Sequence, residues 1–193
     1  MDLTQGTIQE KRTRSKKMML WFAMISMFMM FAGLTSAYIV SQERPDWLKG
    51  FQIPTAFYYS TIVILASSVT FHLAKSAIQK GLQGATGLYL LVTLALGISF
   101  VILQFAGFNE IIANQFYFTG EQSTVTTSFI YIITVTHLMH VAAGILVLLV
   151  VIYNHFKQKY KQGQTLGLEL GAMFWHFLDF LWVFLFLFLY FLR

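Results

Sequence analysis

Cysteine is absent from this 193-residue chain. Its absence excludes disulfides, thiolate catalysis, iron–sulfur clusters and thiolate zinc or copper sites, so any metal would rest on His, Met or carboxylate. Proline is nearly absent as well, at 2 residues, and charged residues make up only 11% of the chain. A soluble domain of this size lacks the interior to hide 57% hydrophobic residues. Also missing are a glycine-rich phosphate loop, a serine nucleophile elbow and an HExxH zinc-protease pattern. No autonomous active site of those kinds is expected.

What is present is long apolar sequence. Five segments of about 20 or more residues stand out: Met18 to Val40, Pro54 to Leu73, Gly87 to Phe108, Val125 to Tyr153 and Leu166 to Leu192. They are far longer than the strands of a membrane barrel, and an unpaired backbone group in lipid is costly. The expected fold is therefore all-α, a polytopic bundle of five transmembrane helices. It divides into a basic cytoplasmic arm, residues 1–17, and a membrane domain, residues 18–193. The arm MDLTQGTIQEKRTRSKK leads into a full spanning length with no small-residue cleavage pattern, so it does not read as a removable signal peptide.

The net charge of +5 is a matter of topology and not of nucleic-acid binding. Lys11, Arg12, Arg14, Lys16 and Lys17 precede the first segment, Lys75 and Lys80 follow the second, and Lys157, Lys159 and Lys161 follow the fourth. The opposite side holds Arg44, Lys49 and Arg193, with Glu43, Asp46, Glu110 and Glu121. This bias predicts a cytoplasmic amino terminus and a periplasmic carboxyl terminus. No internal repeat is evident, which weakens a transporter built from inverted halves.

Ionisable groups inside the apolar segments mark where function should be sought, because such groups are expensive in lipid and find partners. His137 and His140 lie near the middle of the fourth segment, and His176 and Asp179 lie in the fifth. Each pair is spaced i, i+3 and shares a helix face. Opposite chain directions put all four in one slab near mid-membrane, so a four-member cluster is allowed. Three readings stay open: a metal or haem site, a proton relay, or polar groups that bond one another and a partner's helices. Three histidines fall short of a full ligand set, and helices four and five offer few polar steps toward either surface. Trp175 and Trp182, seven residues apart, share nearly one face and read as packing or lipid-groove residues. Glu169 complements the positive end of the fifth helix, while His72 and His155 read as groups near cytoplasmic helix ends, met by interfacial solvent or a lipid phosphate.

Methionines 18, 19, 24, 27, 29 and 30 raise the question of Cu(I), but they surround the first helix and read as packing. Gly33, Gly97 and Gly144 suit close helix contact. Pro54 sits where a helix can start without losing a hydrogen bond.

The stretches HLMHVAAG and FWHFLDFLWVFLF resemble the last two helices of subunit III of haem–copper oxidases, with the patterns H-x-x-H-V-x-x-G and W-H-F-x-D-x-x-W. The matching positions are His137, His140, Val141, Gly144, Trp175, His176, Phe177, Asp179 and Trp182. FAGLTSAYIV and SSVTFHLA are similar to earlier helices of that family, and Gln104 falls where its third helix has a glutamine. The likeness covers nearly the whole chain from the first helix onward, in the short five-helix bacterial form. It implies a multi-pass subunit of the bacterial inner membrane without redox centres, packed against subunit I, which carries haem and copper, and near subunit II, within a larger respiratory assembly. It also implies bound phospholipid, support of proton uptake and durability of the catalytic subunit, and a structural or lipid-associated role for the polar cluster. Subunit III of cytochrome c oxidase is the leading expectation. Its counterparts in quinol oxidases and nitric oxide reduction are alternatives, and a free-standing transporter or copper-handling protein is the competitor from another class. Ser26 is followed by Met27 where the family often has a carboxylate, so no role of that carboxylate carries over.

Overall fold

The computed structural model describes residues 7–48, 51–120, 123–160 and 165–192. Lys49, Glu121, Lys161 and Arg193, used in the charge pattern, and residues 1–6 of the basic arm lie outside the described residues. The chain forms five helices: α1 (Ile8–Val40), α2 (Thr55–Gln79), α3 (Gln83–Ala113), α4 (Val125–Phe156) and α5 (Leu166–Phe191). Each is long and apolar enough to cross a membrane. A short 3-10 turn, Ser41–Glu43, follows α1.

The helix ends explain where the expected boundaries shift. Thr7 and Glu10 form a capping box, the Glu10 carboxylate accepting from the Thr7 N–H at 2.9 Å. Helix α1 therefore starts at Ile8, ten residues before the expected Met18, and the described part of the basic arm is helix. At about 1.5 Å per residue its 33 residues reach roughly 50 Å, beyond a hydrocarbon layer of about 30 Å. The long second connection of the sequence reading shrinks to three residues, Lys80 to Leu82. Gly81, at φ 76°, ends α2 in a Schellman motif closed by Leu82 N–H to the Ala77 carbonyl at 3.0 Å. Pro54 caps α2 as expected, and the Glu110 carboxylate accepts from the Thr55 N–H at 3.0 Å.

The bonds between helix ends define two faces. On one, Lys17 of α1 pairs with Glu169 of α5 at 3.2 Å, and Gln83 of α3 donates to the Tyr160 carbonyl beyond α4. On the other, Gln42 donates to the Leu192 carbonyl at 2.8 Å, and the Leu48 N–H donates to Thr126 of α4 at 2.9 Å. All five helices thus alternate in direction, with α1 and α5 parallel.

Helices α2 and α3 form the tightest pair, and α5 is the central helix. Half of its apolar window is buried, 50%, against 17% for α1, which leans on α4 and α5. Two glycines make the close approaches possible. A Cβ on Gly97 would stand 2.8 Å from the Trp175 ring, and one on Gly144 would stand 2.7 Å from Leu178. Gly33 differs from expectation, because nothing lies within 4 Å of where its Cβ would be. It faces outward on the most exposed helix.

Candidate functional site

Two ionisable residues of α5 and two of its tryptophans lie along α2, and what they meet there is hydroxyl groups. Trp175 Nε1–H donates to Ser67 Oγ at 3.0 Å, and Trp182 Nε1–H donates to Thr61 Oγ1 at 3.0 Å. His176 Nδ1 lies 2.6 Å from Ser68 Oγ. Because α2 and α5 are antiparallel, one register sets all three bonds. An indole N–H buried without a partner costs about 1–3 kcal/mol, so these hydroxyls hold the register as well as satisfy the rings. Both tryptophans are almost completely buried, which makes them packing residues and not walls of a lipid groove.

Asp179 is 3% exposed, and neither carboxylate oxygen closes a hydrogen bond with the protein. Its polar neighbour is Ser68, the same hydroxyl that meets His176. Toward the basic face the series continues. His72 and Lys75 of α2 act electrostatically on His176, and Lys75 and Lys17 act on Glu169. Glu169 accepts from Lys17 and from the Thr165 hydroxyl, the latter at 3.0 Å, so it clamps α1 to α5 besides standing at the start of α5.

The histidines of α4 face elsewhere. His137 is fully buried against Phe31, Phe100 and Trp182, its ring centroid 5.2 Å from that of Trp182, and both its nitrogens lack a protein partner. His140 is half-buried, packs on Phe31 and donates from Nδ1 to the Thr136 carbonyl at 2.7 Å. The four residues therefore sort into a pair facing α2 and a pair facing α1, α3 and Trp182. Among the described residues, no three His, Asp or Glu side chains converge as metal ligands. His72 is exposed, but α2 runs on to Gln79, so it lies about two turns inside the helix and not at its end. His155 departs from the expected solvation. It is 3% exposed, with Nε2 directly over Gly87 of α3.

A second feature is an apolar groove of about 610 Å³ between α1, α4 and α5. Met27, Ala23 and Leu20 line one side, Val147 and Val151 another, with Gly171 and Phe174 at the base. Asn154 and Tyr160 supply polarity at the basic end. Burial pushes the Tyr160 hydroxyl above the usual phenol range, which keeps it a donor. Met27, the position that departs from the family pattern, is thus a groove residue.

As site residues the sequence reading missed Thr61, Ser67 and Ser68, although Ser67 and Ser68 open the SSVTFHLA stretch, and it used Lys75 only in the charge pattern.

Comparison with known proteins agrees with this architecture. A family model described as cytochrome c oxidase subunit III matches residues 4–193. Subunit 3 of the cytochrome bo(3) ubiquinol oxidase of Pseudomonas aeruginosa is 27% identical over 84% of this chain and 78% of its own length. Cytochrome c oxidase subunit 3 of Corynebacterium diphtheriae is 29% identical over 86% of this chain and 82% of its own. That of Spodoptera frugiperda is 32% identical over 72% and 89%. With five membrane-length helices and a match that runs almost end to end, the chain belongs to the cytochrome c oxidase subunit III family.

Proposed function

We propose that this chain is a non-catalytic accessory subunit of a bacterial cytochrome c oxidase, held in the inner membrane with its amino terminus in the cytoplasm. It packs against the subunit that carries haem and copper, with subunit II nearby. It steadies that catalytic subunit through turnover and supports proton uptake. The observation that carries the reading is the family match over residues 4–193. The α2 hydroxyls that meet Trp175, His176 and Trp182 of α5 support it, since they make these polar groups part of the packing between helices.

The groove between α1, α4 and α5 takes a phospholipid. Its walls suit acyl chains, Tyr160 and Asn154 suit a headgroup oxygen, and Lys17 stands on the same face. Met24, buried under Phe174 and Leu178, and Met19 and Met29, exposed on other sides of α1, support packing and lipid contact in place of copper handling.

Affinity purification of the chain from membranes in mild detergent tests the proposal. Co-elution with a haem protein that oxidises reduced cytochrome c is expected. A complex that accepts only quinol would move the chain to the quinol oxidases, where the Pseudomonas relative belongs by name. A haem-free homo-oligomer would overturn the reading.

A further inference from the structure

Gln104 of α3 and Thr134 and His137 of α4 are fully buried, at 0% exposure, and each keeps a polar atom that no protein group bonds. For Gln104 the neighbours fix which atom that is. Ser60 Oγ gives its proton to the Phe57 carbonyl at 2.9 Å, so it accepts from Gln104 Nε2 at 2.9 Å, and the open atom is the acceptor Oε1. Thr134 and His137 break a local habit of these helices. Thr35, Thr61, Thr86 and Thr93 each donate their hydroxyl to the carbonyl one turn back, and His140 donates Nδ1 to Thr136 in the same way. Thr134 and His137 forgo those bonds, so the hydroxyl and both ring nitrogens stay open.

Ring contacts set the register that brings these atoms together. Phe100 meets His137 with centroids 6.1 Å apart, and Phe108 stacks on Tyr131 at 5.3 Å. Gln104 lies midway between Phe100 and Phe108, four residues from each, and Thr134 lies midway between Tyr131 and His137, three from each. The two therefore stand level on the facing sides of antiparallel helices. The His137 side chain leans toward the start of its helix, which is where Thr134 lies. Among the described residues no side-chain hydrogen bond joins α3 to α4, although α2 bonds α3 through Ser60 and Thr70 and α5 through Thr61, Ser67 and Ser68. Thr61 and Ser60, the hydroxyls of α2 at this depth, are engaged with Trp182 and Gln104. Asp179 belongs to another level. It and Thr134 lie one turn to either side of the contact between His137 and Trp182, roughly 9 Å apart along the bundle.

We propose that one ordered water molecule binds between α3 and α4, held by Gln104 Oε1, Thr134 Oγ1 and His137. It accepts from the Thr134 hydroxyl, donates one hydrogen bond to Gln104 Oε1 and donates the other to the bare nitrogen of a neutral His137 imidazole. Three bonds are the usual complement of a buried water. The remaining imidazole N–H lies among the rings of Phe31, Phe100 and Trp182. Ser60, Gln104, the water, Thr134 and His137 then tie α2, α3 and α4 by hydrogen bonds inside the apolar layer.

Electron cryomicroscopy of the chain in the assembly it purifies with, at a resolution that shows ordered waters, tests the site. A single peak at hydrogen-bond distance, about 2.7–3.2 Å, from Gln104 Oε1, Thr134 Oγ1 and one His137 nitrogen is expected. The peak should vanish in Thr134→Val and in Gln104→Leu. In thermal unfolding the double variant should lose no more than the worse single variant, because both substitutions remove the same bridge. A wild-type map without the peak would overturn the proposal, whether Gln104 bonds Thr134 directly or another subunit's side chain takes the place. So would a peak that survives both substitutions, or losses that add in the double variant. The wild-type map decides even where a variant fails to assemble.

Discussion

Thr61 and Ser67 show how a single hydroxyl in a membrane helix decides the cost of its partner. With Thr61→Val the Trp182 N–H is stranded in an interior that is 1% exposed, and with Ser67→Ala the same happens to Trp175. Each substitution should lower stability by about 1–3 kcal/mol in detergent unfolding followed by tryptophan fluorescence. The double variant Thr61→Val with Trp182→Phe should recover most of the loss, since no donor remains to be satisfied. Equal losses in the single and double variants would mean that the bond carries none of the effect. The ionisable members of the site were legible in the sequence because a His or Asp in an apolar run is conspicuous. Their hydroxyl partners were not, because serine and threonine are ordinary in membrane helices and sequence alone does not give the register between α2 and α5. For the same reason His155 read as solvated, although α3 covers it at Gly87.

Helix ends obey local rules that sequence carries more openly. The Thr7 to Glu10 capping box is written as TIQE, yet the polar composition around it suggested an arm in place of helix. Spans two to five were legible from hydropathy, with α2, α3 and α4 extended by polar turns that stay helical and α5 matching its expected range to within one residue. Helices α3 and α4 end like α2, but with Gln115 at φ 62° and Gln158 at φ 54° where glycine would be unstrained. Gln158→Gly should therefore stabilise the protein by roughly 1 kcal/mol, measured as a higher midpoint of thermal unfolding. No gain would mean that the Gln158 side chain contributes as much as its backbone strain costs. Gly97→Val should do the opposite, because the added carbons meet the Trp175 ring and force α3 from α5. A loss of a few kcal/mol is expected, partly rescued by Trp175→Phe. The Lys17 and Glu169 clamp is partly exposed on both sides, so Lys17→Ala should cost at most about 1 kcal/mol.

At the scale of the molecule, alternation of the five helices follows from bonds between their ends, and the orientation proposed above rests on where the basic residues lie. The absence of cysteine makes this directly testable, since any single introduced thiol is the only one in the chain. Lys80→Cys in the α2–α3 turn should react with an impermeant reagent only after the cytoplasmic face is opened, and Asp46→Cys should react from outside in intact cells. The reverse pattern would invert the proposed topology. The bundle as a whole presents a polar seam between α2 and α5 and a lipid-sized groove, which suit the proposed role of a chain that supports chemistry held elsewhere. That central claim is tested most directly by stripping this chain from the purified oxidase, then recording haem spectra and activity through sustained turnover. The account predicts unchanged haem and copper signals and a near-normal initial rate, followed by faster inactivation. Loss of a haem or copper signal while the remaining subunits stay assembled would contradict it.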